Sequence, residues 1–544
     1  MDTAAVTDAS RPEGEPEGRR TIARRAGIVG AGTLLSRVLG FARDIVFAAV
    51  FPTGVTDLFY VAFTIPNALR VLLGEGAVSA AVVPVFSEVR AKDGEEAARR
   101  YFARLTGLLG LVLVIVSLLG VAFAPALVSV YATGYLADAS DDGAPERFAD
   151  TVALTRVVFP YIFFMGLAAL GMGGLNALRR FAVPAFTPAL LNIALIAAAF
   201  TLAGPAEALG LPPVGALAIG ALIGGALQLV AQWPAQRAVG LLRAPRLDLR
   251  DPAIKKTLAL MVPILAGFGV YQLNTMIGRN LLSFLEAGSQ SYIWYGQRLV
   301  EIPQGMFALA IAGATLPTLA DLRTRGDLDR LRELFGYSLR LTLFLAIPSS
   351  VILAALAEPI VAVAFGRGAF ERADVIETAA SLRWQAAGVW AIASVRTVLP
   401  LYYAYNDTRT PVVASAINLV VFAGTAIALM GPFAHVGVAM ALSAAGAAQL
   451  FMLLGLLRRK VGRLGLRAVA QSALKVSVAS AAMAGASLGV ARFGTWEAGA
   501  GLVNALILIG AVVAGGVVFV AVAKALRVGE LDEVLGALRR RVKR

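Results

Sequence analysis

The sequence contains no cysteine and a single histidine, His435. These absences exclude disulfides, thiolate nucleophiles, iron–sulfur ligation and any multi-histidine metal site. The phosphate-loop motif G-x-x-x-x-G-K-[ST] is also missing, which argues against ATP hydrolysis by this chain. Only 15% of the 544 residues are charged, 58% are hydrophobic, and the mean hydropathy is +0.75. Such a chain cannot cover a water-exposed surface and is predicted to be an integral membrane protein.

About 14 apolar segments are long enough to cross a hydrocarbon layer of roughly 30 Å as helices. They lie near 27–51, 56–86, 103–131, 151–177, 183–203, 213–233, 257–285, 290–319, 336–365, 375–403, 411–430, 435–457, 468–491 and 501–526. Pro66 and Pro303 fall inside the second and eighth segments and are predicted to kink or break them.

Lysine and arginine fall in alternate connecting loops, and the loop with Arg367 and Arg372 is the clearest exception. Because positively charged loops stay in the cytoplasm, both termini are predicted to be cytoplasmic. The formal net charge of +14 then reflects topology and anionic membrane lipids, and no nucleic-acid partner is expected.

The two halves of the chain share short motifs at an offset of about 233 residues. Pro84 and Pro317 begin one matching pair of segments, and Pro125 and Pro359 begin another. Six spans in each half predict an all-α polytopic protein with two lobes related by a pseudo-two-fold axis along the membrane normal. The predicted divisions are a disordered cytoplasmic tail (1–26), an N-lobe (27–243), a C-lobe (255–463), two further spans (464–530) and a basic cytoplasmic tail (531–544).

Charged and amide side chains lie at membrane depth in the first, second and eighth spans, where they mark a pathway by default. They are Arg37, Arg43, Asp44, Asn67, Arg70, Glu75, Gln297, Arg298 and Glu301. Arg37 lies about ten residues inside the first span, near the middle of the bilayer. Guanidinium groups that meet in a cavity between lobes favour a phosphate or carboxylate ligand. The residues therefore predict an exporter or flippase for an anionic, phosphate-bearing substrate.

Simpler roles remain open for several of these residues. Arg43 and Asp44 can form a satisfied pair, Asp57 can cap the start of its own span, and Arg70 can pair with Glu75. Other arginines near span ends can extend to the membrane interface. They are Arg156, Arg279, Arg340, Arg383 and Arg396. Three rivals of other classes are an exporter of cationic drugs, a membrane glycosyltransferase and a scaffold that transports nothing.

Several segments together resemble a known family. They are Ser36–Asp44 (S-R-V-L-G-F-A-R-D), Thr56–Phe63, Ile65–Arg70, Gly74–Pro84, Tyr295–Gly305 and Asp407–Pro411. Over about 27–460 the chain resembles the MurJ (MviN) family of lipid II flippases in the MOP exporter superfamily. The resemblance implies a flippase, not an enzyme, that moves lipid II from the cytoplasmic to the outer leaflet of the bacterial inner membrane by alternating access. The alternative is an exporter of another polyprenyl-diphosphate oligosaccharide, or of drugs, on the same fold.

The resemblance also implies roles for individual residues, with neither a catalytic residue nor a metal ligand among them. Arg37, Arg43, Arg70 and Arg298 are expected to bind the diphosphate head group. The residues expected to act in gating or coupling are Asp44, Asp57, Asn67, Glu75 and Glu301. The final two spans are expected to hold the polyprenyl tail in a groove. No cofactor is expected beyond a coupling monovalent ion or the membrane potential, and cell-wall synthesis proteins are expected partners.

Overall fold

The computed structural model describes residues 19–71, 79–137, 143–305, 309–462 and 464–542, and within these ranges it contains helices and no strand. The helices of the first half are α1 (Arg19–Val50), α2 (Thr53–Arg70), α3 (Ser79–Ala122), α4 (Ala124–Tyr131), α5 (Gly134–Ala137), α6 (Ala144–Val158), α7 (Tyr161–Ala177), α8 (Ala182–Phe186), α9 (Pro188–Thr201), α10 (Ala203–Ala208), α11 (Gly215–Val230) and α12 (Trp233–Ala238).

The second half continues with another series of helices. They are α13 (Pro252–Leu282), α14 (Ser289–Pro303), α15 (Leu309–Thr324), α16 (Leu328–Ala355), α17 (Ala357–Phe365), α18 (Arg372–Ala387), α19 (Val389–Ala404), α20 (Arg409–Val461), α21 (Leu466–Ala491), α22 (Leu502–Ala525) and α23 (Gly529–Val542). This all-helical architecture confirms the predicted fold class.

Eight helical stretches among the described residues are long and apolar enough to cross a membrane. One of them, α20, has 53 residues and covers the predicted eleventh and twelfth spans, with an interruption at Ala434 (φ 46°). The first two predicted spans are also helical, in α1 and α2. Helix α14 ends at Pro303 and is followed by a π turn at 304–305, whereas α2 continues through Pro66 to Arg70 without a break.

The prolines of the sequence repeat occupy corresponding places in the two halves. Pro84 lies inside α3 and Pro317 lies inside α15. Pro125 lies in the first turn of the short helix α4, and Pro359 lies in the first turn of the short helix α17. Proline is favoured in a first turn because its missing N–H has no helical partner there. The prolines of the sequence repeat therefore occupy matching positions in their helices.

Aromatic rings join the two halves where α2 meets α14. Tyr60 stacks on Trp294 with ring centroids 4.6 Å apart, and its edge faces Tyr295 at 6.0 Å. Phe41 of α1 similarly contacts Phe365 of α17 at 5.9 Å. Such pairs stabilise an interface by about 0.5–1.5 kcal/mol each beyond the area that they bury. The two halves are thus packed together where α2 meets α14. Asp57 of α2 lies in this contact, which is called below the Asp57 end.

The chain termini differ in part from the predicted tails. Helix α1 begins at Arg19, so it includes the last eight residues of the segment predicted to be disordered over 1–26, and 1–18 lie outside the described residues. Helix α23 packs Leu531 and Val534 against a cluster that includes Phe344. Its buried Glu530 pairs with Arg340 at 2.8 Å. The predicted basic tail over 531–544 therefore includes a helix docked on the second half.

The loop that breaks the alternation of charge is partly neutralised. Arg372 pairs with Glu358, and Arg383 lies 3.9 Å from the same carboxylate. Arg367 donates from Nη2 to the carbonyl oxygen of Val363 at 2.6 Å, at the end of α17. A guanidinium at a helix C-terminus satisfies carbonyl oxygens that have no partner within the helix. These arginines therefore have local structural partners.

Candidate substrate site between the two halves

A buried carboxylate, Asp44 on α1, links arginines of both halves. Its Oδ1 accepts hydrogen bonds from Arg43, from Nη2 at 2.7 Å and from Nε at 3.0 Å. Its Oδ2 lies 3.0 Å from Nε of Arg298 on α14, in an ion pair across the halves. Asp44 is 0% exposed. A carboxylate buried to that extent is stable only when cations and donors surround it, so Arg43, Asp44 and Arg298 form one electrostatic unit.

Each arginine of this unit has further partners on its own side. Arg43 donates from Nη1 to Oδ1 of Asn192 at 3.2 Å, and Asn192 in turn donates to the carbonyl oxygen of Ser36 at 3.1 Å. Arg298 donates from Nη1 to Glu301 at 2.9 Å, and its guanidinium lies 4.6 Å from the ring centroid of Trp294. These contacts hold both guanidiniums in fixed orientations on either side of Asp44.

Arg37 lies on α1, and its guanidinium lies beside Gly305 of the other half. Its side chain is exposed and has no hydrogen bond or ion pair with any residue that the structure describes. A methyl group at Gly305, just beyond the end of α14, would collide with this guanidinium. The glycine at 305 therefore leaves space for the Arg37 guanidinium where the two halves meet.

Asn67 and Arg70 share one face of α2, as their spacing of three predicts. The Nε of Arg70 donates to Oδ1 of Asn67 at 2.8 Å. Glu75, the third predicted residue of this segment, lies outside the described residues, so the predicted pairing of Arg70 with Glu75 is not tested.

Asp57 caps a helix of the opposite half. Its carboxylate accepts hydrogen bonds from the backbone N–H groups of Gly288 (2.7 Å), Gln290 (3.3 Å) and Ser291 (2.7 Å), and from the Ser291 hydroxyl (2.6 Å). These donors belong to the first turn of α14, whose backbone amides have no partner within the helix. The sequence interpretation that Asp57 caps its own span is therefore wrong, because the carboxylate points across the interface to α14.

A second carboxylate, Asp374 of α18, extends the contact at the Asp57 end. Its Oδ1 accepts hydrogen bonds from the Thr53 hydroxyl at 2.8 Å and from the Tyr292 hydroxyl at 3.0 Å. The Ser291 hydroxyl also lies 3.0 Å from the carbonyl oxygen of Thr53. Buried donors from both halves are thus satisfied only while this end is closed.

Arg279 of α13, predicted to extend to the membrane interface, is instead buried at 6% exposure. It donates from Nη1 to Oε1 of Gln290 at 2.9 Å. Its guanidinium lies 5.2 Å from the Trp294 ring centroid and 6.0 Å from that of Tyr60. The Trp294 ring therefore contacts both Arg279 and Arg298. In the sequence, only the aromatic residues of α14 indicate that an arginine can be buried here against aromatic rings.

The arginines differ from the prediction in that carboxylates occupy their donors. The sequence predicts guanidiniums from both lobes in a shared hollow, open to ligand. The structure brings Arg43 and Arg298 together as predicted, but Asp44 and Glu301 occupy their donors. The physical reason is the cost of unpaired charge at membrane depth, which carboxylates on the same helices offset. Arg37 and Arg70 lie outside this ion-pair unit.

Comparison with known proteins places the chain in a family. The family model described as "Lipid II flippase MurJ" matches residues 47–508. The chain belongs to the MurJ family. A probable lipid II flippase MurJ of Vibrio cholerae is 38% identical over 395 residues, which are 72% of this chain and 74% of the relative. A probable lipid II flippase MurJ of Bdellovibrio bacteriovorus is 34% identical over 86% of this chain and 88% of the relative.

Solved structures agree with this assignment. A structure described as "Lipid II flippase MurJ, inward closed conformation" matches with a TM-score of 0.71 and 26% identity, over 90% of this chain and 98% of that one. An inward-facing MATE transporter of the MOP superfamily matches with a TM-score of 0.64 at 13% identity, over 79% of this chain and 95% of that one, which shows a shared fold. MurJ proteins are lipid transporters, so the prediction that the chain is not an enzyme is confirmed.

Proposed function

We propose that this protein translocates lipid II across the bacterial inner membrane and that the arginines around Asp44 bind its diphosphate. The observation that supports this most strongly is the Arg43–Asp44–Arg298 unit, because it joins the two halves through charges that a diphosphate can replace. Guanidiniums bind phosphate oxygens with the same paired geometry that they use for carboxylates. A ligand diphosphate would therefore compete with Asp44 for both arginines.

The other two arginines of the predicted site lie outside the Asp44 unit. Arg37 is on the same helix as Arg43 and Asp44, is exposed, and forms no hydrogen bond or ion pair with the described residues. Arg70 lies on α2, where it donates a hydrogen bond to Asn67. Both are proposed as further contacts for the phosphate oxygens of the ligand, which guanidiniums bind with paired geometry.

The transport cycle follows from the two inter-half contacts, with the basic loops placed in the cytoplasm as the sequence predicts. Lipid II would enter from the cytoplasmic side while Asp57 holds the opposite end closed through α14. Binding would withdraw Arg298 from Asp44, which lies on the same half as Asp57. The closed end would then be held by Asp57, Asp374 and the aromatic contacts alone, and its opening would release the substrate outward.

The return step needs an energy source. A coupling monovalent ion or the membrane potential would supply it, since one charge that crosses 100 mV changes the free energy by about 2.3 kcal/mol. Helices α21 and α22 pack on each other, and α21 also packs on α16. They are proposed to hold the polyprenyl tail, as their position after the repeated halves suggests. Anionic membrane lipids and cell-wall synthesis proteins are the other proposed partners.

The test is replacement of the protein in a bacterium that depends on it. Arg37→Ala and Arg298→Ala are expected to insert normally and to lose the ability to support growth. Arg325→Ala is a matched control, because Arg325 is 72% exposed and pairs only with Asp321 within the described part of the chain. If Arg37→Ala and Arg298→Ala both support growth as well as the control does, the proposed site is contradicted.

A further inference from the structure

Trp294 and Arg298 lie about one turn apart on the same face of α14, and both contact the first half of the chain. The Arg298 guanidinium faces Asp44 of α1. The Trp294 ring is stacked on Tyr60 of α2, with ring centroids 4.6 Å apart and ring planes inclined by 23°. The Arg298 guanidinium also lies 4.6 Å from the Trp294 ring centroid. A cation and an aromatic ring are therefore neighbours on the face of α14 that meets the other half.

The three aromatic residues of α14 differ in what surrounds them. Tyr292 donates a hydrogen bond to Asp374 of its own half. Tyr295 is fully buried, with the ring of Phe365 from its own half at 4.8 Å. Trp294 is only partly buried, and the ring on which it stacks belongs to the other half. Trp294 is therefore the aromatic residue of α14 whose ring face is released when the two halves separate.

The indole N–H of Trp294 has no acceptor. Its Nε1 atom is buried and forms no hydrogen bond within the part of the chain that the structure describes. Because burial of an unpaired donor costs free energy, such donors are rare in folded proteins. An oxygen atom of a ligand that reaches Trp294 would satisfy this donor.

The groups of the first half that contact α14 resemble the two parts of a glycosyl diphosphate. Asp44 presents carboxylate oxygens to Arg298, as a phosphate does to a guanidinium. Tyr60 presents a flat ring to the face of Trp294, as the C–H face of a sugar ring does, because the negative face of an aromatic ring attracts weakly positive hydrogens. The two contacts are neighbours on α14, as the diphosphate and the sugar bonded to it are neighbours in the ligand.

We propose that Trp294 binds the sugar ring attached to the diphosphate of the substrate, and that Tyr60 occupies this position while the Asp57 end is closed. The inference rests on the proposed function and extends it, because it assigns a carbohydrate contact beside the diphosphate contact of Arg298. The ligand then displaces both contacts of the first half from α14, namely Asp44 from Arg298 and Tyr60 from Trp294. Sugar binding thus selects a glycosylated lipid and contributes to opening of the Asp57 end.

The experiment measures the binding of three ligands to the full-length protein in detergent, by microscale thermophoresis. The ligands share a polyprenyl chain and a diphosphate diester. They differ in the group at the other end, which is the complete head group of lipid II, a single N-acetylhexosamine, or a methyl group. The ratio of the affinities for the hexosamine and methyl ligands reports the sugar contact, because changes at the diphosphate cancel in this ratio.

Four variants are compared with the wild-type protein. Trp294→Leu removes the aromatic ring, whereas Trp294→Phe keeps a ring and removes the indole N–H. Arg298→Ala removes the proposed diphosphate contact. Trp233→Leu is the matched control for loss of a tryptophan, because Trp233 is exposed and lies on α12 of the other half. Thermal unfolding of each variant checks that the fold is retained.

The wild-type protein and Trp233→Leu are expected to bind the hexosamine ligand about tenfold more tightly than the methyl ligand. Trp294→Leu is expected to remove this preference, and Trp294→Phe is expected to retain part of it. Arg298→Ala is expected to weaken the binding of all three ligands while the preference for the hexosamine remains.

The sugar contact and the diphosphate site fail in different ways. Equal affinity of the wild-type protein for the hexosamine and methyl ligands, or an undiminished preference in either Trp294 variant, overturns the sugar contact and leaves the diphosphate site in place. Absence of saturable binding of any of the three ligands to the wild-type protein contradicts the proposed function and overturns the sugar contact with it.

Discussion

The contact between Asp57 and the first turn of α14 gives the sharpest prediction about conformation. Asp57 is 3% exposed and accepts four hydrogen bonds, all from the other half. Asp57→Ala leaves these donors without a partner while the Asp57 end is closed, whereas water can reach them once it opens. A hydrogen bond to a charged group contributes about 1.5–3 kcal/mol, and a helix cap contributes about 1 kcal/mol. We therefore expect a shift of about 2–4 kcal/mol toward the open state.

That shift corresponds to a change of about 30-fold to 1,000-fold in the ratio of open to closed molecules. The absence of cysteine allows specific spin labelling without any prior substitution. Cysteines at Leu136 and Ile376, both exposed near the Asp57 end, would report the distance between the halves. We expect a longer distance between the two labels to become populated in Asp57→Ala. In Asp57→Asn, which keeps one oxygen acceptor, we expect a much smaller population at that distance. The exposed neighbour Glu286→Ala is the control, and identical distance distributions for Asp57→Ala and this control would refute the reasoning.

Two further predictions concern other places in the molecule. Gly305→Ala places a methyl group against the Arg37 guanidinium and is expected to reduce transport, whereas Gly313→Ala, with open space around its Cβ position, is expected to act as wild type in a growth assay. A hydrogen bond from Lys460 lowers the pKa of Asp407 to about 2, so the stability that this carboxylate contributes is present above pH about 4 and is lost as the pH falls through about 2. Asp407→Asn should lower Tm at pH 7, and equal losses of Tm at pH 7 and pH 2 would contradict this.

The sequence was informative where the chemistry is local or repeated. The adjacent residues Arg43 and Asp44 form the predicted pair, and Asn67 and Arg70 share the predicted helical face. The repeat places Pro125 and its counterpart in the other half at the starts of matching short helices. Helical spacing and chain connectivity fix all of these relations, so no three-dimensional information was needed to find them.

The contacts between the halves could not be predicted in the same way. Asp44 and Arg298 are far apart in the chain, and a search for unpaired charges does not show which carboxylate meets which guanidinium. Asp57 binds mainly backbone amides, which have the same chemistry at every position and leave no mark in the sequence. The burial of Arg279 depends on aromatic rings from two helices that meet only in the fold. Long-range packing decides each of these contacts.

As a lipid II flippase, the protein moves lipid II from the cytoplasmic to the outer leaflet. The most direct test of this movement is depletion of the protein in living bacteria. The leaflet that holds lipid II is then measured from the accessibility of lipid II to an enzyme added outside the inner membrane. We predict that lipid II accumulates in the cytoplasmic leaflet, protected from that enzyme, and becomes accessible again when the wild-type chain is restored. Lipid II that remains fully accessible after depletion would contradict the account.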